Sequence, residues 1–422
     1  MKIVIILLLF SVCFSVTVFS QTTPDESEEE PAPDEPVGRI EAAVNAFRDS
    51  HKYKIGIFRI QPRVAFHSGL DANAAFGDED LDDGRREDDF FFTVVPGVSG
   101  GIKFGTRAFL HVVENLSFVY YLKQEERRDI FNNTFAEFVT GTNTLLLTVT
   151  GGYVRRHEPV DEELDEPVEF TTTHGHATVD YPLSSRIDLR HNIRFTRTTF
   201  ERTEEIENSS LTLIDRNTIS VGTGTRYRWR ETRFFTGNAQ YQHSEDIGTG
   251  LKLNVWNVLG GYEFQSPRFA GHFQVGYGRA SHEDERKNSN FLLEGRVDTQ
   301  FRNKTRVGFS LSRRYEFSVL SSDGTRLTTQ GGIRFATPVH ERLQLNGSYA
   351  VGKHEYDSLV SGVVVEGDTF HRADVGLNIQ IVRFLTVRPG VFYLNRDTNI
   401  PELDKQIVGW SISAGVGYVI DF

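Results

Sequence analysis

The closing stretch, Trp410 to Phe422 (WSISAGVGYVIDF), limits most narrowly what this chain can become. Counting back by twos from Phe422 gives Ile420, Tyr418, Val416, Ala414, Ile412 and Trp410. The intervening positions are Asp421, Val419, Gly417, Gly415, Ser413 and Ser411. One face is apolar with aromatic ends and the other is mostly small or polar. A period of two is a strand. Aromatic residues at both ends of an apolar band suit a strand crossing a bilayer, where headgroups meet acyl chains. A strand of a soluble sandwich alternates in the same way, so the rest of the chain must decide between the two.

Mean hydropathy is −0.35, too polar for a bundle of membrane helices. A barrel tolerates it, because only alternate residues of each strand meet lipid. After the first twenty residues no run approaches the roughly 18 apolar residues of a spanning helix. Residues 1–20 read as a secretory signal, with Lys2 as the positive end, Ile3 to Val12 as the apolar core and Ser20 before the expected cleavage. The single cysteine, Cys13, lies within this segment and lacks a lipoprotein cleavage box. The exported chain is therefore expected to carry no disulfide and no lipid anchor. Much of the formal net charge of −12 sits in a proline-interrupted acidic tail from Gln21 to Gly38, which cannot bury a core. Ile40, Ala43, Val44 and Phe47 then recur at helical spacing, so 21–52 is expected to be a linker plus one short amphipathic helix that plugs the pore, contacts a periplasmic partner or, as its shortness favours, packs on the rim. Nothing in the charge balance suggests nucleic acid.

From residue 53 to 422 the pattern is one of strands. Short turn signals fall near Phe104–Arg107, Gly141–Thr144, Pro182–Arg186, Trp229–Arg233, Ser266–Phe269, Arg302–Thr305, Pro338–Arg342 and Arg383–Leu385. Longer polar stretches lie between them, at a period of about forty residues. Eight short turns and nine long loops join about eighteen strands, by the short-inside, long-outside rule of outer-membrane barrels. A propeller of similar period would show four turn signals per repeat rather than two. The fold class is thus an all-β, antiparallel up-and-down transmembrane barrel. The alternation breaks around Glu114 and at Asn257, where a bulge is expected.

The segment FRIQPRVAFHSGLDANAAF (Phe58 to Phe76) and DDFFFTVVPGVSGGIKFG (Asp88 to Gly105) together resemble a bacterial family of β-barrel porins. Pro62, Asp71, Asn73, Asp89, Phe90 and Pro96 match its proline-centred strands and intervening loop. Leu70 and Ala72 stand where that loop has an aromatic residue and a second Asp. The resemblance implies an outer-membrane barrel, occasional association with exported polysaccharide, and no catalytic residues.

No serine-hydrolase or aspartate–histidine constellation is present, so no enzyme, cofactor or resident metal is expected. His174 and His176 point to one side of a strand, yet no neighbouring ligand completes a metal site. Acidic runs at Asp78–Asp83, Asp161–Asp165 and Glu204–Glu207 belong to the long loops, either solvated or holding cations that bridge lipopolysaccharide. The polar phase of the strands carries Arg59, Arg63, Lys103, Arg190, Arg194, Arg296, Arg334, Arg372 and Arg388, together with Glu294, Asp298 and Asp374. These are the candidate pore-lining residues. They either bias the lumen toward anions or pair with one another across the wall. Trp410, Tyr418, Ile420 and Phe422 are the candidate membrane-assembly signal, read by the barrel assembly machinery. Expected partners are outer-membrane lipid and lipopolysaccharide, with small hydrophilic solutes passing by diffusion. The alternatives are a conduit for an exported polysaccharide and a closed structural or adhesive barrel.

Overall fold

The computed structural model describes residues 53–71, 89–105, 107–122, 128–142, 144–158, 168–201, 213–282, 287–317, 325–356, 359–360, 363–364, 367–382, 385–398 and 405–418. The expected signal, acidic linker, short helix, acidic loop runs and the positions Ile420 and Phe422 lie outside the described residues. Strands β1 (Tyr53–Ile55), β2 (Phe58–Asp71), β3 (Asp89–Phe104), β4 (Ala108–Tyr121), β5 (Asp129–Thr142), β6 (Leu145–Glu158) and β7 (Val168–Ser184) open the chain. They are followed by β8 (Ile187–Phe200), β9 (Arg216–Arg230), β10 (Arg233–Asp246), β11 (Lys252–Ser266), β12 (Phe269–His282), β13 (Lys287–Gln300) and β14 (Arg306–Phe317). Then come β15 (Thr325–His340), β16 (Leu343–Tyr356), the loop hairpin β17 (Leu359–Val360) and β18 (Val363–Val364), β19 (Asp368–Val382), β20 (Leu385–Thr398) and β21 (Lys405–Tyr418).

Every pairing is antiparallel, and β2 pairs with both β3 and β21, so the sheet closes on itself. The sheet has 19 strands, of which β1 is a short extension of the seam. The other eighteen form the ring, as the alternation of turns and loops requires. At the seam Val64 faces Tyr418 and Asp71 faces Ser411, while β1 takes over lower on the same edge of β2, with Tyr53 opposite Ile60. Closure through β21 removes the open sheet edge that a structure in hydrocarbon cannot tolerate. Trp410 and Ile412 occupy the register positions opposite Val391 and Pro389. Val391 is exposed on the outer wall.

The outer wall is apolar because the strands alternate. Along β12, Phe269, Phe273, Val275 and Tyr277 are all exposed, while His272 and Gln274 take the intervening inward positions. Aromatic pairs mark both edges of the band. Trp229 with Phe235 and Phe264 with Phe269 lie at the short-turn end, with centroids 5.8 and 4.9 Å apart. Phe92 with Tyr120 and Tyr241 with Trp256 lie toward the long loops, at 4.9 and 4.4 Å. Such girdles fit the two interfaces of a membrane.

The strands keep register at the two places where the sequence suggested a bulge. The β3–β4 and β4–β5 ladders run unbroken through Glu114, and the β10–β11 and β11–β12 ladders through Asn257. Asn257 is therefore an ordinary inward residue. Glu114 takes an outward position opposite Val98 and accepts a hydrogen bond from Thr134 Oγ1 at 3.0 Å. The register shifts fall instead beside short turns, at Pro182/Ser184, Arg233/Phe234, Pro338/His340 and Gln380/Val382. There a bulge lets a strand twist into its turn without disturbing the band.

Candidate functional site in the basic half of the lumen

Strand parity places eleven of the twelve candidate pore-lining residues on the inward phase; the side chain of the twelfth, Arg63, lies outside what is described. Arg194 sits between the exposed Ile193 and Phe195, Lys103 between Ile102 and the exposed Phe104, and Asp374 beside the exposed Val375. Arg296 lies opposite His272, Arg334 opposite Gly308, and Arg388 opposite Ser413. Arg59 lies opposite Gly101, Arg372 opposite Leu394, and the backbone of Arg63 opposite Gly97. Apart from Arg372, which lies near the long-loop end of β19, the basic members concentrate toward the short-turn end. Arg226 and Arg228 of β9 belong with them: they alternate with the outward Tyr227 and Trp229. That parity was readable in Tyr-Arg-Trp-Arg, and the sequence reading overlooked it.

The structure joins some of these charges and leaves others apart. Asp298 Oδ2 accepts from Arg296 Nε at 2.6 Å, and its Oδ1 accepts from Arg334 Nη2 at 2.7 Å. The second bond reaches across β14 at Gly308, where a Cβ would lie 2.6 Å from Asp298 Oδ1 and 2.7 Å from Arg334 Nε. Glycine is what lets the pair close over that strand. Arg190 donates twice to Asp180, at 2.5 and 3.1 Å. Arg226 donates to Glu263 at 2.7 Å, with its guanidinium 3.4 Å from the centroid of the Phe234 ring. Glu294 lies 3.4 Å from His272 Nε2, and Asp374 accepts from Ser348. Among the described residues Lys103, Arg194, Arg372 and Arg388 form no ion pair. Part of the charged phase thus staples the wall, while Lys103, Arg194, Arg372 and Arg388 stand apart from any carboxylate among the described residues.

On one arc the lumen deepens into a groove of about 450 Å³. Its walls are Leu146 and Thr148 of β6, His176, Thr178 and Asp180 of β7, Arg190, Asn192 and Arg194 of β8, Ser220 of β9, and Asn238 and Gln240 of β10. His176, half of the His-Gly-His pair, bonds to Thr178 at 3.2 Å. No group of three or more metal-ligating side chains occurs among the described residues.

The long-loop end is built differently. Val255, Ala280, Leu292, Tyr315 and Leu327 form a buried apolar cluster there, and the Arg216 guanidinium lies 5.4 Å from the ring centroid of Phe317, five strands away along the wall. Beside this cluster is a buried polar network. Arg396 donates to Asp368 at 2.9 and 2.6 Å, Tyr356 donates to Asp368 at 3.1 Å, and Thr328 joins His354 to Glu316 at 2.9 and 2.7 Å. Asp368 and His354 are each 1% exposed. No sequence signal announced this network, because its members come from five strands.

The family profile described as Putative beta-barrel porin 2 matches residues 53–414. No curated protein matches the chain by sequence. Among solved structures, the chain is similar to the FrpB iron transporter from Neisseria meningitidis (F5-1 variant), with 13% identity and a TM-score of 0.47 over 82% of this chain and 64% of that one. The chain thus matches less than two thirds of FrpB's length. It is also similar to OccAB4 of Acinetobacter baumannii (11% identity, TM-score 0.47, 88% of this chain and 99% of that one). A third similar structure is the outer membrane protein opdK of Pseudomonas aeruginosa (10% identity, TM-score 0.48, 85% and 98%). At these identities the likenesses say nothing of solute or partner.

Proposed function

Since this chain belongs to the Putative beta-barrel porin 2 family, we propose that it is a diffusion channel of the bacterial outer membrane for small hydrophilic solutes, biased toward anions. One observation carries the reading: inward-facing cations gather in the short-turn half and several, including Arg194 and Arg388, have no carboxylate partner among the described residues. A ring of eighteen strands is wide enough for water, and fixed charge on a hydrated wall raises the local concentration of the opposite ion. Single-channel recording of purified, folded protein in a planar bilayer under a salt gradient tests it. Steady openings with an anion-selective reversal potential are expected; silence from verified folded protein overturns the reading.

A second reading, a conduit for an exported polysaccharide, is favoured by the packed long-loop end, where Arg216 approaches Phe317. A packed wall at that end suits a conduit that opens only when engaged. Rare, brief openings together with saturable glycan binding would select it over the first.

A further inference from the structure

The groove on β6–β10 owes its depth to β9. Gly222 lies between Asn192 and Gln240, and Gly224 between Arg190 and Asn238, in adjoining rows across β8, β9 and β10. Without side chains on these two residues the wall sinks along its middle strand. The amides and charges of the flanking strands then face one another over a glycine floor. A Cβ on Gly222 would come within 2.9 Å of the Asn192 amide, so the first glycine also makes room for that side chain.

The lining is chemically specific. Asn192, Asn238 and Gln240 bring amide donors and acceptors, Thr148, Thr178 and Ser220 bring hydroxyls, and Leu146 is the one apolar side chain. Gln240 Nε2 donates to Ser220 Oγ at 2.7 Å, which fixes that amide and leaves its oxygen available. Arg190 is committed to Asp180 through two bonds, whereas Arg194, opposite His176 and Ser220, has no ion-pair partner among the described residues. The site therefore offers one free fork for a carboxylate, a carboxylate acceptor and several neutral polar groups. Among the described residues no Phe, Tyr or Trp lines it for stacking a sugar ring.

We propose that this groove is a lumenal subsite for a small polyhydroxylated monocarboxylate. The carboxylate lies on Arg194, and the hydroxyls lie on Asn192, Asn238, Gln240 and Asp180. One uncompensated cation suits a monoanion, and the Asp180 carboxylate disfavours a dianion such as sulfate while accepting hydroxyl protons. A groove of about 450 Å³ admits a molecule of this size. The inference rests on the lumen being open to solutes and names the class it passes most readily.

The probes are sodium gluconate, the neutral polyol sorbitol and sodium sulfate, tested on wild type, Arg194→Gln and Gly224→Val. The last variant fills the floor where a Cβ would meet only ordinary contacts, at 3.6 and 3.9 Å. Saturation-transfer NMR on the detergent-folded barrel reads binding without needing an open pore, and proteoliposome flux reads passage. Heat-modifiable migration verifies the fold of each variant, and Arg194→Lys is the charge-keeping control. The expected result is gluconate saturation exceeding that of sulfate and sorbitol, reduced at least threefold in Arg194→Gln and Gly224→Val and partly kept in Arg194→Lys. Gluconate binding equal in wild type and Arg194→Gln, or no stronger than sulfate, overturns the subsite even if the pore conducts. Gluconate binding without any flux leaves the subsite standing and overturns the channel.

Discussion

Two aspartates facing the same lumen are expected to differ sharply in what they contribute to stability. Asp298 and its partners Arg296 and Arg334 are between 38% and 46% exposed at their side chains. Asp368 and Arg396 are 0% and 3% exposed. In the hydrated cluster Asp298→Asn removes an attraction that water and salt already weaken, so the loss stays within about 1 kcal/mol. Asp368→Asn keeps the shape but removes the negative charge beside the buried Arg396 guanidinium, and it weakens the bond from Tyr356. Isolating one member of a buried pair costs roughly 3–5 kcal/mol. With a guanidinium slope of about 3 kcal/mol per molar, the midpoint falls by about 1 M or more for Asp368→Asn and by under about 0.4 M for Asp298→Asn. The assay is unfolding from phospholipid vesicles followed by tryptophan emission, since Trp229 and Trp256 lie exposed on the outer band and report its loss of contact with lipid. The paired change Asp368→Leu with Arg396→Met, which removes both charges, is expected to recover most of the loss. Equal shifts for the two asparagine variants would refute the reasoning, because they would mean that the network at the long-loop end is as wet as the lumen below it.

The remaining expectations concern selectivity and the outer wall. The paired change Arg334→Ala with Asp298→Asn, which leaves the net charge of that cluster as it was, should change the reversal potential little. Arg388→Gln or Arg372→Gln should each lower the anion-to-cation permeability ratio by roughly twofold, the size of one charge acting across about 10 Å of water. The reverse ranking would place the filter on the Asp298 cluster. Glu114→Leu should stabilise the barrel in the vesicle assay by on the order of 1 kcal/mol, because an acidic side chain on the outward face is disfavoured in hydrocarbon. Destabilisation instead would mean that its bond with Thr134 has a positive role.

Alternation along each strand was legible without coordinates. A period of two leaves only two sides for a residue, and the rarity of charge in hydrocarbon says which side faces in. Arg194 between Ile193 and Phe195, or Arg296 between Gly295 and Val297, needed nothing more. Turn chemistry separated short from long connections, and from these came the eighteen-strand ring. Glu114 misled the reading because it breaks the polarity rule without breaking the ladder: the backbone hydrogen bonds hold the register even where one side chain is unsuited to its side.

What the amino-acid order determined by itself is therefore local and periodic: which stretches extend, where they turn, and which phase meets lipid. Stagger between strands is a property of the closed sheet. It alone decided that Arg334 reaches Asp298 over Gly308, that Gly222 and Gly224 floor a groove walled by β8 and β10, and that Asp368 meets Arg396 in a dry corner. These neighbours lie tens of residues apart in the chain, and a shift of one residue in register would turn each to the opposite face.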